Sequence, residues 1–295
     1  MRNTIRTGTA ILFAIISICS SCKKESSLLT KSSGDTTISP PVTPVAQPPV
    51  NNETQPANQI AITYNVNPNI GGFYQALPAK YDSTSLKYPL LVFLHGVGEL
   101  GNGSSDLPKV LVNAVPRLLN QKIFPPQFIV NGTSFSFVVV SPQFKQWPQP
   151  ADVNAMVDYA IAHYRIDTTR IYVSGLSMGG GAVWDYGIAD TKRIAAIVPI
   201  SGASWPTRDQ CGNIANGKLP VWAFHNLDDG TVGSGTTTSI VDNINSFSPA
   251  IPAMKTIWPT GGHDAWTKAT NPDTKECNGK NMYEWMLQYT RLPGQ

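Results

Sequence analysis

Arg170-Ile171-Tyr172-Val173-Ser174-Gly175-Leu176-Ser177-Met178-Gly179-Gly180-Gly181 is the stretch whose reading decides the fold. Its β-branched and aromatic start reads as a buried strand, and the glycine-rich segment after it opens a helix. Gly175-Leu176-Ser177-Met178-Gly179 is a G-x-S-x-G match at that strand-to-helix turn. A serine hydroxyl is a poor nucleophile, so it must stand exposed on a sharp turn within reach of a base. Glycines two residues before and after it leave room for strained backbone and close neighbours. In a chain with 24 glycines the pattern also arises by chance. What separates the two readings is whether the chain supplies a base, an acid and an oxyanion hole.

Around that stretch, short apolar runs alternate with longer amphipathic ones from about residue 60, which predicts α/β layering. Ile60–Tyr64 and Gly72–Leu77 read as a lead-in hairpin at a sheet edge, and Tyr88–Leu94 as a strand buried on both faces. Further strands are expected over Phe135–Val140 (closed by Ser141-Pro142-Gln143), Ile194–Ile200, Leu219–Phe224 and Ala253–Trp258. Helices are expected over Leu107–Asn120, bent or ended at Pro116, and over Asp152–Tyr164, Ser239–Phe247 and Asn281–Tyr289. The segment from Ile200 to Leu219 is too short for a large helical lid, so an open cleft is expected.

In open α/β sheets, ligands bind at the carboxyl ends of the strands. Of four histidines, His163 lies inside a helix pattern and reads as a packing residue, while His95 and His225 end strands. His263, in Thr260-Gly261-Gly262-His263-Asp264-Ala265-Trp266, occupies a glycine-bearing loop that can swing its ring over the sheet edge, and is the candidate base. The acid should come from a strand end between serine and histidine. The loop after Phe224 offers Asp228 and Asp229; the turn residues Gly230-Thr231-Val232 favour Asp229, with Asp228 as the alternative. Asp264 adjoins His263 in sequence, a poor geometry for holding its ring. The oxyanion donors would be the N–H of Met178, after the serine, and that of Val97 in His95-Gly96-Val97-Gly98-Glu99. Gln143, Trp147, Trp184 and Trp205 are candidates for lining the cleft, with ordinary core packing the alternative for each tryptophan.

The order Ser177, Asp229, His263 is that of α/β hydrolases rather than of chymotrypsin-like or subtilisin-like proteases. His95-Gly96-Val97-Gly98-Glu99, Ser141-Pro142-Gln143, the serine motif, Phe224-His225-Asn226-Leu227-Asp228-Asp229-Gly230-Thr231-Val232 and Gly262-His263-Asp264-Ala265-Trp266 together resemble a secreted esterase group of that superfamily. The group spans feruloyl and acetyl xylan esterases, polyhydroxybutyrate depolymerase-like proteins and "predicted peptidase" homologues. The resemblance covers about residues 65–290 and implies a mostly parallel central sheet flanked by helices. It also implies a Ser-His-Asp ester hydrolase with no metal or organic cofactor, and it puts Asp229 in the acid position. Members of the group usually have Gly where this chain has Asn226. A serine peptidase of the same fold, and a surface glycan-binding lipoprotein that has lost catalysis, are the rival readings.

The N-terminus suggests export. Arg2 and Arg6 precede the apolar run Ala10–Ile16, which is too short for a permanent membrane span, and Ser20-Ser21 lead into Cys22. This resembles a bacterial lipoprotein signal, with Cys22 as the lipidated first residue. Lys23-Lys24-Glu25 resembles the start of Bacteroidetes-type lipoproteins. The expected organisation is a signal over 1–21, a Ser/Thr/Pro-rich tether over 22–58 and a catalytic domain over 59–295, anchored by lipid at an outer membrane. A soluble secreted protein cut nearby is the alternative. The chain is 41% hydrophobic and 14% charged, and losing residues 1–21, with two arginines and no acid, lowers the formal charge from +3 to +1. No basic stripe exists for nucleic acid. In an exported protein the remaining pair, Cys211 and Cys277, suggests one disulfide, with two free thiols as the alternative.

Overall fold

The computed structural model describes residues 51–292. The signal segment, Cys22 and most of the tether lie outside the described residues. Residues 51–57 fall within the expected tether, yet Glu53 is buried and its carboxylate accepts the Lys80 N–H at 3.0 Å. The packed region therefore starts earlier than composition suggests.

Strands β1 (Asn58–Ile62), β2 (Ile70–Leu77) and β3 (Tyr88–Leu94) come first, followed by helix α1 (Ala114–Asn120) and a small hairpin, β4 (Phe128–Val130) and β5 (Thr133–Phe135). Then β6 (Val138–Phe144), α2 (Pro150–His163), β7 (Ile166–Leu176), α3 (Met178–Ala189) and β8 (Ala196–Ile200) alternate. The chain closes with α4 (Arg208–Asn216), β9 (Trp222–Asn226), α5 (Gly235–Asn245), β10 (Met254–Trp258), α6 (Trp266–Ala269) and α7 (Met282–Met286). Eight strands form one sheet in the order β1-β2-β6-β3-β7-β8-β9-β10. β1, β2 and β6 pair antiparallel, and every pairing from β6 to β10 is parallel. The strand before Ser177 thus sits near the middle, covered on both faces.

Strand alternation builds two cores. Leu90, Val92, Leu94, Val138 and Val140 point to the face covered by Met156 of α2, Trp184 of α3, Ile214 of α4 and Ile240 of α5. Leu91, Phe93 and Val139 point to the other, packed with Leu118 of α1 and Tyr283, Trp285 and Met286 of α7. All seven residues of β3 are buried, as a strand sandwiched between helical layers requires. Truncating one of these side chains to alanine costs about 2–5 kcal/mol. Among the described residues no helix is long and apolar enough to cross a membrane.

The structure departs from expectation at four points. The 107–120 segment is a 3-10 stretch (Leu107–Val112) followed by α1, and the break falls at Asn113, which is extended, and Ala114, at φ 49°. Pro116 lies in the first turn of α1, where its missing N–H removes no helical bond. β6 runs on through Ser141-Pro142-Gln143, because β2 keeps pairing as far as Phe144 after β3 has stopped at Val140. Helix α4 and the β4–β5 hairpin were not expected, although each carries a local signal. Thr207 and Gln210 cap each other's backbone N–H groups, and Asn131-Gly132 turn the hairpin with φ of 51° and 77°. Finally, Cys211 and Cys277 are both free thiols, which corrects the disulfide expectation. Cys211 is buried in the core on one face of the sheet, and Cys277 packs against the core on the opposite face, so the sheet separates them.

Candidate active site

Ser177 stands between β7 and α3 with φ 52° and ψ −116°, a conformation that costs a non-glycine residue about 1–3 kcal/mol. The surrounding glycines make that turn feasible. A Cβ on Gly175 would come within 2.7 Å of the Gly179 carbonyl oxygen, and one on Gly179 within 2.3 Å of the Leu94 carbonyl oxygen. The elbow is held from outside too, since Ser177 N–H donates to Ile200 O at 2.9 Å and Ala203 N–H to Ser177 O at 3.2 Å.

Three side chains from separate strand ends meet here. His263 Nε2 is 2.8 Å from Ser177 Oγ, and His263 Nδ1 is 2.7 Å from Asp229 Oδ2. The carboxylate accepts from Nδ1–H, which leaves Nε2 free to accept the serine proton. Asp229 Oδ1 accepts the N–H groups of Thr231 and Val232, both at 2.9 Å. Burial pushes the Asp229 carboxyl up, but the bonds from His263, Val232 and Thr231 outweigh it and hold the group below the ordinary carboxylate value. Such a line can draw a proton from the hydroxyl while an oriented anion stabilises the imidazolium.

Asp228 is not in that line. Its carboxylate accepts the N–H groups of Gly262 (2.8 Å) and Gly261 (3.2 Å), so it clamps the loop that carries His263. Asn226, at the departure from the usual glycine, donates from Nδ2 to Gly262 O at 3.0 Å and grips the same loop. Asp264 turns away, accepting from Thr267 N–H and Oγ1–H at the start of α6. Trp266 sets its ring perpendicular to that of His263, with centroids 5.2 Å apart, and its indole N–H donates to Asn113 Oδ1 at 3.3 Å. The helix break at Asn113 thus has a use, because Asn113 also donates to the buried Glu99 carboxylate.

His225 is a second, unexpected partner of Asp229. It is fully buried, and its Nε2 lies 3.1 Å from Asp229 Oδ2 and 2.8 Å from Val232 O. Two acceptors around Nε2 make it the protonated nitrogen, so Nδ1 accepts from Thr237 Oγ1 at 2.8 Å. Burial lowers its pKa despite the bonds to Val232 and Asp229, keeping it neutral. The signal for this residue was its place four positions before Asp229 at the end of β9.

On the other flank, His95 is buried and structural. Its Nδ1 donates to Gly96 O at 2.6 Å, and its Nε2 accepts the Phe144 N–H at 2.9 Å. Burial pulls its pKa down to about 4 against the opposing bond to Gly96. It fixes the turn Val97–Glu99, and Gly96 lies so near the elbow that a Cβ there would be 3.6 Å from Ser177 Cβ. The N–H of Val97 starts this 3-10 turn and that of Met178 starts α3, so neither has an acceptor within its own helix. His163 is exposed and stacks on Tyr159.

Two expected cleft residues are corrected. Gln143 is buried, and its amide ties Gly103 N, Glu99 O and Asp106 O together, so it is a strut. Trp184 is fully buried in the core beneath α3. Trp147 and Trp205 are exposed, and both line a groove beside the site. Among the described residues no group of three or more His, Cys, Asp or Glu side chains is placed to hold a metal ion.

The model of the phospholipase/carboxylesterase family matches residues 82–270, a span that takes in Ser177, Asp229 and His263. The chain belongs to that family. Solved structures agree on the fold. A thermostable esterase superposes with a TM-score of 0.56 at 22% identity, covering 80% of this chain and 63% of its own. The feruloyl esterase module from Clostridium thermocellum, in complex with sinapinate, gives 0.53 at 17% identity over 73% of this chain and 85% of its own. A ferulic acid esterase gives 0.53 at 16% identity, covering 72% and 94%. This phospholipase/carboxylesterase family member thus spans under two thirds of the thermostable esterase and most of the two smaller ones.

Proposed function

We propose that the protein is a serine carboxylester hydrolase that acts on esters carried by plant cell-wall polysaccharides, feruloyl or acetyl, while tethered by a lipid at Cys22 to an outer membrane. The observation that carries the reaction class is the unbroken hydrogen-bonded line from Ser177 through His263 to Asp229 at a strained elbow. In this reading Ser177 Oγ attacks the ester carbonyl as His263 Nε2 takes its proton, and Asp229 stabilises the imidazolium. The N–H groups of Met178 and Val97 receive the oxyanion. His263 then protonates the leaving alcohol, and water, activated by the same imidazole, releases the acid from Ser177. The resemblance to feruloyl and acetyl xylan esterases, and the fold shared with the two feruloyl esterases, support the substrate class.

A hydrolysis panel tests it: p-nitrophenyl acetate and butyrate, methyl ferulate, acetylated xylan and alanine p-nitroanilide, each with the Ser177→Ala control. Ser177-dependent cleavage of the esters and not the anilide is the expected result. Cleavage of the anilide would turn the reading to a peptidase, and no cleavage of any substrate would turn it to a binding protein.

A further inference from the structure

Next to the Ser177 elbow lies an open groove of about 580 Å³ that none of Ser177, Asp229 or His263 lines. Trp147 follows β6 and Trp205 follows β8, so both rise from the same sheet edge as Ser177. They are 41% and 74% exposed, unusual for indoles, which bury large areas where the fold can use them. Between them polar side chains alternate with the apolar surface of Pro150, Ile188, Ala189 and Pro206. Asp185 of α3 keeps one carboxylate oxygen on Ser204 Oγ at 2.6 Å, and Gln210 commits its carbonyl oxygen to the Thr207 N–H, leaving its amide N–H groups to give. Gln149 completes the polar side.

We infer that this groove is a binding subsite for a neutral glycan chain, with the faces of Trp147 and Trp205 stacking on pyranose rings and Asp185, Gln149 and Gln210 bonding to their hydroxyls. The chemistry of the lining selects this occupant. Aromatic faces attract the C–H faces of sugar rings, and mixed donors and acceptors suit hydroxyls, which both give and take hydrogen bonds. No lysine or arginine lines the groove among the described residues, so a polyanion finds no counter-charge, and its one carboxylate opposes uronate-rich chains. An acyl chain would call for an apolar, enclosed slot, whereas this groove is open and carries Asp185 on its wall.

The location gives the subsite a use. Ala203, which lines the groove, donates its N–H to Ser177 O, while Asp185 stands eight residues along α3 from the nucleophile, about 12 Å at helical rise. A sugar chain held there places an ester on a neighbouring residue of the same chain at the elbow. The inference rests on the proposed esterase reading for its catalytic consequence, but the binding itself does not.

The test uses xylohexaose binding, followed by tryptophan fluorescence, and the ratio of kcat/KM for acetylated xylan to that for p-nitrophenyl acetate. Xylohexaose should perturb the fluorescence of Ser177→Ala protein, and Trp147→Ala and Trp205→Ala introduced into it should abolish that change. In the active protein each substitution should lower the polymer-to-small-ester ratio roughly three- to tenfold, and Trp205→Phe should restore most of it. Both side chains are exposed, so these variants keep the fold. Ester hydrolysis with an unchanged ratio and no xylohexaose signal would overturn the subsite while leaving the esterase reading intact. Xylohexaose binding lost in the tryptophan variants, in a protein that cleaves no ester, would uphold the subsite and reject the esterase reading. A fall in p-nitrophenyl octanoate turnover relative to acetate, with the polymer ratio unmoved, would give the groove to an acyl chain.

Discussion

The two flanks of Ser177 are built differently. On the Asp229 side nearly every polar atom is bonded to another part of the protein: Asp229 is bound by His263, His225, Thr231 and Val232, and the His263 loop is clamped by both Asp228 and Asn226. On the groove side Trp147 and Trp205 stand in solvent, and Asp185 has a single side-chain partner, Ser204. The dense bonding of the first region is what the proposed acid–base chemistry requires, since such chemistry tolerates little misplacement. The second presents surface to something outside the chain. The contrast teaches that the reaction is written into internal bonds, whereas recognition is written into what is left unbonded.

That contrast can be broken by substitution. Asp229→Asn should cost the most, lowering kcat by roughly 10⁴-fold, because the amide cannot hold His263 in the tautomer that accepts the serine proton; steady-state kinetics on p-nitrophenyl acetate read it. A fall of less than tenfold would mean that Asp228 or another group takes the role.

Acid should next expose the buried histidine on the Val97 flank. Folded His95 resists protonation down to about pH 4, while the unfolded chain takes the proton near 6.5. The unfolded state therefore binds more protons between these values. The stability His95 contributes is intact above pH 6.5 and is lost as pH falls toward 4, by about 3 kcal/mol. His225, also depressed, acts in the same direction. Urea denaturation at pH 7 and pH 4.5 measures this, and His95→Gln should flatten the slope; equal slopes would contradict the burial argument.

His225→Leu removes a donor from Asp229 and should lower kcat/KM by about tenfold, the worth of roughly 1–2 kcal/mol for an unmade bond to a charge. The loss also removes one of the hydrogen bonds that hold the Asp229 carboxylate against His263, so the acid limb of the pH–rate profile should move as well as the rate. His225→Gln, which can still donate, should recover part of the rate. A stability loss with no movement of the pH profile would make His225 a packing residue only. Asn226→Gly, which frees the Gly262 carbonyl, should cost the least, a few-fold in kcat, since Asp228 still clamps the loop.

Much of this was legible in the chain. The parallel core strands announce themselves as continuous apolar runs, because both faces are covered, and the elbow announces itself because its glycines answer to backbone contacts under 3 Å. Asp229 was readable over Asp228 because its carboxylate needs the turn N–H groups that Thr231 and Val232 supply. Less was legible wherever a role depends on distant partners. Gln143 looks like a cleft residue by its strand-end position, and only the approach of Gly103 and Asp106 makes it a strut. Trp184 has helical spacing that fits either face of α3. The cysteine pair looked bridgeable because sequence does not say which side of the sheet each thiol occupies. Asn113 carries no motif; its importance comes from Trp266, which folds back on it from 153 residues away.

The most direct test of the central claim is covalent labelling with a fluorophosphonate probe, followed by peptide mapping of wild-type protein and of His263→Ala. The account predicts one adduct, on Ser177, formed in step with loss of ester hydrolysis and strongly slowed in His263→Ala. An adduct on a different serine, or full ester hydrolysis by protein with no adduct on Ser177, would contradict it.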